Sequence, residues 1–193
     1  TSDLGFSLRR DFILELAHFL PHVPQDHKCR RLHGHSYGIG LQVKQADDSN
    51  RLLLAAEARI SKLLERRLLN NVEGLENPTA EILASYIFEK LKPSLANLQA
   101  VMVNETLDSA CSYKGGNIWG VFKAFELESA LPHGDSFLGR SLRIRLGIEK
   151  ELDPDLGWTL DFAQIKSWFR PIKNRLDHHN LGEIDGRDLS QLR

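Results

Sequence analysis

The chain has 193 residues, of which 41% are hydrophobic and 26% are charged, so it can bury a core as one large domain or two small ones. The formal net charge of -1 provides no general attraction for nucleic acid or anionic membranes and argues against both as partners. The sequence shows neither a bilayer-spanning apolar run nor a signal-peptide pattern. Two cysteines form no disulfide framework, so we expect a cytoplasmic protein.

The first half of the sequence predicts two strands, two helices and two further strands. Alternating apolar residues indicate the strands, whereas apolar residues at helical spacing indicate the helices. Asn77-Pro78 has the character of a helix N-cap and first turn. The predicted elements are strands at 11–21 and 33–44, helices at 51–69 and from Pro78 to the residue before Pro93, and strands at 98–106 and 110–114. The order ββααββ predicts an α+β fold.

The pattern begins again after the glycine pair that closes the first half. Leu131-Pro132-His133 repeats Leu20-Pro21-His22. Further echoes are a strand motif at 138–142 that repeats 33–37, a strand face at 142–148, a turn at 153–157 and a helix at 162–176. We interpret the pattern as a tandem duplication, with a first unit at 1–116 and a second, incomplete unit at 117–193.

Three histidines of the first unit form a candidate metal site. The two-residue period of a strand places His33 and His35 on one face, and an antiparallel pairing brings His18 beside them. Three neutral imidazoles leave a fourth zinc position open, which is the arrangement of catalytic sites. Cys29 stands among Lys28, Arg30 and Arg31, which favour a reactive thiolate. The alternatives are an ordinary strand end for His33-Gly34-His35 and a buried, unreactive thiol for Cys29.

The two predicted units differ at the positions that carry this chemistry. The sequence echo places no histidine in the second unit where the first has its cluster; the equated pairs are His18 with Ser129, His33 with Leu138 and His35 with Arg140. The predicted helix of the second unit, at 162–176, is followed by Asp177-His178, an acid-base pair, where the first unit has Glu65-Arg66. Because arginine cannot give up its proton near neutral pH, the first unit lacks such a pair.

Five motifs in this order resemble the 6-pyruvoyltetrahydropterin synthase family. They are His18, Cys29 with His33-Gly34-His35, Asn77-Pro78-Thr79-Ala80-Glu81, Asn104-Glu105-Thr106 through Tyr113, and Leu176-Asp177-His178. The three-residue gap between Cys29 and His33 is similar to that of its bacterial branch, the 6-carboxytetrahydropterin synthases of queuosine biosynthesis. The resemblance implies the tunnelling fold, an antiparallel sheet with two helices on one face, whose units associate through sheet edges into homo-oligomeric barrels.

The resemblance also implies roles for individual residues. Zn2+ would be held by His18, His33 and His35. The catalytic residues would be Cys29, Asp177 and His178. Glu105 would anchor the pterin, and Thr79 and Glu81 would assist in substrate binding. The implied reaction is that of a lyase, which converts 7,8-dihydroneopterin triphosphate to 6-carboxytetrahydropterin with loss of acetaldehyde and triphosphate, or to a 6-pyruvoyl product with loss of triphosphate. Because the acid-base pair stands only in the second unit, one complementary site could arise from two different halves.

Other interpretations of these residues remain open at the level of sequence. The acid-base pair could be a solvated helix terminus, and Glu105 could be an edge-strand charge. Besides the lyase, the alternatives are another pterin or purine enzyme of the same fold and a non-catalytic zinc- or pterin-binding scaffold.

Overall fold

The computed structural model describes residues 6–184, which form six strands and three helices. The strands are β1 (Ser7–His18), β2 (His33–Lys44), β3 (Leu98–Thr106), β4 (Ser109–Tyr113), β5 (Trp119–His133) and β6 (Ser136–Lys150). The helices are α1 (Ser49–Leu64), α2 (Ala80–Leu91) and α3 (Phe162–Leu176). The strands form one sheet in the order β1-β2-β3-β4-β5-β6. The predicted α+β class, with an antiparallel sheet, is confirmed.

The described residues divide into two compact units. Residues up to 121, together with 148–159, form the first unit, and 122–147, together with residues from 160 onward, form the second. The segment 148–159 stands in the second sequence repeat but belongs to the first unit by its contacts. Each of the three helices falls short of the length or the apolarity that a bilayer crossing requires.

The core of the first unit lies between one face of its sheet and the helices α1 and α2. The inward side chains of β2 are completely buried, as the predicted alternation requires; they are Tyr37, Ile39, Leu41 and Val43. Helix α1 contributes Leu53, Ile60 and Leu64 to the same cluster, and α2 contributes Leu83 and Ile87. Burial of each such side chain contributes roughly 1.5–3 kcal/mol relative to exposure. This core supports the strand ends that carry the histidines.

The register between β1 and β2 brings the histidines together. His18 pairs with His33, and Leu16 pairs with His35, so all three imidazoles lie at the same end of the hairpin. A Cβ atom on Gly34 would lie 2.9 Å from the Leu16 carbonyl oxygen, which is closer than real side chains come. Glycine between the two histidines therefore permits the close approach of the strands.

Three predicted boundaries were wrong. Strand β1 covers Ser7–His18 rather than 11–21. Helix α1 covers Ser49–Leu64 rather than 51–69, because Arg66 takes a left-handed φ of 57° and donates its N–H to the Glu15 carbonyl. The N-cap of α2 is Thr79 rather than Asn77, since Thr79 Oγ1 accepts from the Ile82 N–H at 3.2 Å.

The second unit packs α3 against β5. The rings of Phe125 and Phe169 stack with centroids 4.2 Å apart, and Ile165 and Phe169 are the buried residues of the helix. The helix ends at Leu176, and His178 then takes a left-handed φ of 60°. Among the described residues other than glycine, only His178 and Arg66 have a positive φ.

The turns at these two residues repeat the same hydrogen bonds. In the first unit, Arg66 N–H donates to the Glu15 carbonyl, and Glu15 N–H donates to the Glu65 carboxylate at 3.3 Å. In the second, His178 N–H donates to the Glu128 carbonyl; Glu128 N–H donates to Asp177 Oδ1 at 2.8 Å. Each strand glutamate also accepts from a serine hydroxyl, Ser36 at 3.1 Å and Ser141 at 2.7 Å.

This correspondence corrects the alignment of the first strand of each repeat. Glu15 corresponds to Glu128, so His18 corresponds to Leu131 and not to Ser129. The sequence echo matched two Leu-Pro-His motifs, but the backbone hydrogen bonds determine which residues are equivalent. The second unit still has no histidine at the position of His18.

Candidate active site

The three predicted metal ligands form a compact group, which we call the histidine cluster. The ring centroids are 4.4 Å apart for His18 and His33, 5.2 Å for His33 and His35, and 5.5 Å for His18 and His35. His18 is buried, and the other two are half-buried. Burial lowers the pKa of His18 to about 4, and its neighbours His33 and His35 act in the same direction. His18 is therefore neutral near pH 7, as a metal ligand must be.

Backbone carbonyls determine which nitrogen each ring presents. His18 Nδ1 lies 3.0 Å from the Pro78 carbonyl oxygen, and His33 Nδ1 lies 2.7 Å from that of Arg31. Because a carbonyl can only accept, Nδ1 carries the proton in both rings and Nε2 offers its lone pair. His35 Nε2 is buried and has no hydrogen-bond partner. The carbonyl contacts thus leave Nε2 of His18 and His33 free to face a metal ion, and His35 lies beside them.

Glu105 joins the histidine cluster from β3. Its Oε1 lies 3.1 Å from His35 Nε2, at the distance of an ion pair although without the geometry of a hydrogen bond. The four residues offer ligand atoms that all lie within 4.8 Å of one another. Burial opposes ionisation of Glu105, but the surrounding imidazoles outweigh it and lower its pKa. Sequence reasoning assigned Glu105 to the pterin and missed its place beside the histidines, which only the pairing of β2 with β3 reveals.

Tyr37 adjoins the histidine cluster. Its hydroxyl lies 3.1 Å from His18 Nε2. Burial raises the pKa of Tyr37 well above its ordinary value, and the negative charges of Glu105 and Cys29 add to this effect.

Cys29 lies on the short 3-10 turn Lys28–Arg30, within a loop at residues 19–32 that we call the thiol loop. The Cys29 side chain is half-buried, whereas Cys111 on β4 is buried completely. The Arg30 guanidinium donates to the carbonyls of Pro21 and Val23, both at 2.8 Å. Arg30, expected to favour a thiolate at Cys29, thus also anchors the backbone of its own loop.

Thr79 and Glu81 stand at the start of α2 and face the segment at 153–159. Thr79 Oγ1 donates to the Gly157 carbonyl at 2.6 Å, and Glu81 Oε1 accepts from Thr159 N–H at 2.9 Å and Thr159 Oγ1 at 3.1 Å. Burial raises the pKa of Glu81 to about 7, although the bonds from Thr159 oppose this. Sequence reasoning missed Thr159, because it lies 78 residues from its partner.

Asp177 and His178 form the predicted pair in the second unit. His178 Nδ1 lies 3.2 Å from Asp177 Oδ1, so the carboxylate can orient the imidazole. The Glu128 N–H, donated to Asp177, lowers the pKa of this carboxyl. His178 is exposed, with a side-chain exposure of 77%.

The equivalent place in the first unit borders a cavity of about 400 Å³. Arg66 and Arg67 line it together with Glu15 and Ser36. Glu65 and Arg66 thus occupy the position that carries the acid-base pair in the second unit, and Arg66 and Arg67 line the cavity beside it.

Comparison with known proteins places these features in context. The sequence matches the family described as 6-pyruvoyl tetrahydropterin synthase over residues 7–116 and 130–191. The 6-carboxy-5,6,7,8-tetrahydropterin synthase of Synechocystis sp. is 35% identical over 117 residues, covering 54% of this chain and 89% of that protein. The Bacillus subtilis protein of the same name is 31% identical over 133 residues, covering 58% of this chain and 89% of the relative.

A solved structure agrees with the fold. The 6-pyruvoyl tetrahydropterin synthase of Caenorhabditis elegans superposes with a TM-score of 0.51 at 24% identity, over 57% of this chain and 96% of the worm protein. At this identity the likeness concerns the fold alone, and it confirms the predicted tunnelling fold.

Proposed function

Because this chain belongs to the 6-pyruvoyl tetrahydropterin synthase family, a family of enzymes, we propose that it is a zinc-dependent lyase acting on a pterin. The observation that carries the proposal is the grouping of His18, His33, His35 and Glu105, whose ligand atoms all lie within 4.8 Å of one another. Three imidazoles with room for a further oxygen ligand are typical of catalytic zinc.

The proposed substrate is 7,8-dihydroneopterin triphosphate, and the proposed product is 6-carboxytetrahydropterin. Two relatives above 30% identity are named as 6-carboxy-5,6,7,8-tetrahydropterin synthases, which favours the carboxy product over a 6-pyruvoyl product. The enzyme would act in a cytoplasmic pathway such as queuosine biosynthesis.

The residues of the cluster fit this chemistry. When bound there, Zn2+ would act as a Lewis acid towards an oxygen of the pterin side chain. Cys29 Sγ takes the proton from the carbon next to that oxygen, since a thiolate is an effective base near neutral pH. Glu105 accepts hydrogen bonds from the pterin ring, and Thr79 and Glu81 support that pocket through their hold on 153–159.

Asp177 and His178 supply the second acid or base. The Asp177 carboxylate holds the His178 ring through Nδ1 and so orients it for proton transfer. We infer a tandem duplication at residues 1–116 and 117–193, in which the first unit keeps the histidine cluster and the second keeps the acid-base pair. The repeated turn at Arg66 and His178 supports this origin. Sheet edges favour assembly into homo-oligomers, since closed barrels leave no edges exposed.

Turnover and metal content measured on the same protein test the proposal. The purified chain is loaded with Zn2+ and given 7,8-dihydroneopterin triphosphate, and the product is identified by mass spectrometry. We expect 6-carboxytetrahydropterin and one zinc per chain, and we expect Cys29→Ser to lose turnover but keep its zinc. Tight binding of zinc and pterin without turnover would show that the protein is a non-catalytic binding scaffold rather than an enzyme. Two zinc ions per chain would contradict the single cluster.

A further inference from the structure

Residues 153–159 form a compact turn, which we call the docking segment. Gly157 N–H donates to the Asp153 carbonyl at 2.8 Å, and Asp153 N–H donates to the Trp158 carbonyl at 2.8 Å. The Asp153 carboxylate accepts from the N–H groups of Asp155 and Leu156, both at 2.9 Å. The segment thus has a defined shape of its own.

The docking segment is fastened to the start of α2. Asn77 Nδ2 donates to the Leu156 carbonyl at 2.8 Å, and Thr79 and Glu81 bind Gly157 and Thr159 as described above. Gly157 has a φ of 72°, and a Cβ atom there would lie 2.7 Å from Asn77 Nδ2. The close fit makes the segment a firm support for whatever else it touches.

The other side of the docking segment touches the thiol loop. His22 Nδ1 lies 2.9 Å from the Asp155 carbonyl oxygen and donates to it. The rings of His27 and Trp158 are in contact, with centroids 5.8 Å apart. His27 Nδ1 in turn accepts from the Cys29 N–H at 3.2 Å, which caps the turn that carries the thiol. A chain of contacts therefore runs from Trp158 through His27 to Cys29.

We propose that Trp158 is a positioning residue for Cys29 and acts through His27. The inference rests on the proposed function, because the position of the thiol matters only if Cys29 reacts. Arg30 anchors the loop to its own backbone at Pro21 and Val23, so it stiffens the loop without orienting it on the protein. The indole of Trp158 gives the His27 ring a firm neighbour, and His27 then holds the Cys29 amide.

Loss of this support leaves the fold intact but lets the 3-10 turn move. A misplacement of about 1 Å can cost about a hundredfold in rate. A loosened turn also exposes its side chains more often, so the half-buried thiol of Cys29 reacts faster with a small reagent in solution. Turnover and chemical reactivity of the thiol are therefore expected to change in opposite directions.

The experiment measures alkylation of Cys29 by iodoacetamide, with peptide mass spectrometry, in wild type and in Trp158→Ala, Trp158→Phe and Trp168→Ala. Trp168 is a matched control, since it is an exposed tryptophan on α3. Cys111 is completely buried and reports global unfolding within the same sample. Steady-state turnover of 7,8-dihydroneopterin triphosphate is measured on the same preparations.

We expect Trp158→Ala to raise the Cys29 alkylation rate by about threefold or more, with Cys111 still protected. We expect kcat of Trp158→Ala to fall by about tenfold or more while KM changes little. In Trp158→Phe, we expect the Cys29 alkylation rate and kcat to return most of the way to the wild-type values. Trp168→Ala should behave as wild type. His27→Ala should reproduce the effect, and the double variant with Trp158→Ala should add nothing further, because both act on one contact chain.

Unchanged alkylation in folded Trp158→Ala, or additive effects of the His27 and Trp158 substitutions, would overturn the proposal. Alkylation of Cys111 in Trp158→Ala would mean that this variant has unfolded. The Cys29 alkylation rates and kcat values of Trp158→Phe and His27→Ala would then test the proposal instead. A wild-type chain without turnover would refute the proposed function alone, since the alkylation measurements would still decide whether Trp158 positions the loop.

Discussion

His18 Nδ1 donates a hydrogen bond to the Pro78 carbonyl at 3.0 Å, which ties the buried histidine of β1 to the residue just before the N-cap of α2. The same helix start carries Thr79 and Glu81. The candidate metal ligand and the candidate substrate-binding residues are thus held by one structural element. Backbone carbonyls rather than carboxylates orient His18 and His33, so their tautomers do not depend on the ionisation of a side chain.

Replacement of a cluster histidine should abolish tight metal binding. We expect His33→Asn to weaken zinc affinity by at least about a hundredfold, because loss of a direct ligand costs more than loss of its outer partner. Competition with a chromogenic chelator measures the affinity. His133→Asn is the matched control, since His133 is an exposed histidine at the end of β5. Equal affinity in the His33 variant would remove His33 from the site.

The repeated turn offers a controlled test of the acid-base pair. We expect Asp177→Asn and His178→Asn each to lower kcat by about 10²–10⁴-fold, because each disables the proposed acid or base. Asparagine is chosen at His178 because it tolerates the left-handed conformation.

Glu65→Gln and Arg66→Asn are the matched controls, since they alter the equivalent turn of the first unit. We expect turnover within about twofold of wild type in both, because Arg66 cannot exchange a proton near neutral pH. A comparable loss from both turns would show that the turn matters for structure rather than for proton transfer.

Glu81 should make stability depend on pH. Burial raises its pKa from 4.5 to about 7, so the folded state keeps a proton that the unfolded chain releases. Its effect on stability is therefore most favourable below pH 4.5, is lost as pH rises to 7, and amounts to about 3 kcal/mol. We expect Glu81→Gln to remove this decline and to be more stable than wild type at pH 8.

Urea unfolding at pH 5 and at pH 8 measures the effect of Glu81. Glu89→Gln, on the exposed side of the same helix, is the control and should leave the difference between the two pH values unchanged. An unaltered pH dependence in the Glu81 variant would mean that Glu81 is ionised in the folded protein at no cost.

The docking segment should be sensitive to a single methyl group. We expect Gly157→Ala to lower the stability of the protein by at least about 1 kcal/mol, because the left-handed φ and the contact with Asn77 both oppose a side chain. Gly139→Ala is the control, since a Cβ atom there meets nothing within 4 Å. Equal urea midpoints for the two variants would show that the segment does not dock closely.

Much of the first unit follows from its periodicity. Alternation in β2 predicted both its bounds and its buried face, and the antiparallel pairing predicted that His18 meets His33. The ends of α1 and β1 were predicted less well, because Arg66 leaves the helix to bond with a strand that lies far away in sequence. Local patterns contain no information about such a partner.

Only part of the candidate site was predicted, because some of its contacts also join residues that are far apart in the sequence. Ligand spacing identified the histidines, but the approach of Glu105 depends on the pairing of β2 with β3. Thr159 and its hydrogen-bond partner Glu81 are 78 residues apart in the sequence, so no motif indicates their contact. Sequence similarity also misaligned the repeats by two residues on the first strand, where only hydrogen bonds identify Glu128 as the counterpart of Glu15.

At the left-handed turn of Arg66 and His178, the two units share a backbone conformation but differ in their side chains. The backbone conformation is the same in both units, although an arginine occupies it in one and a histidine in the other. A conformation that disfavours both side chains has thus persisted while the chemistry at its tip has changed. An engineer who wished to give the first unit its own acid and base would therefore need to exchange two side chains, Glu65 and Arg66, and would find the scaffold for them already built.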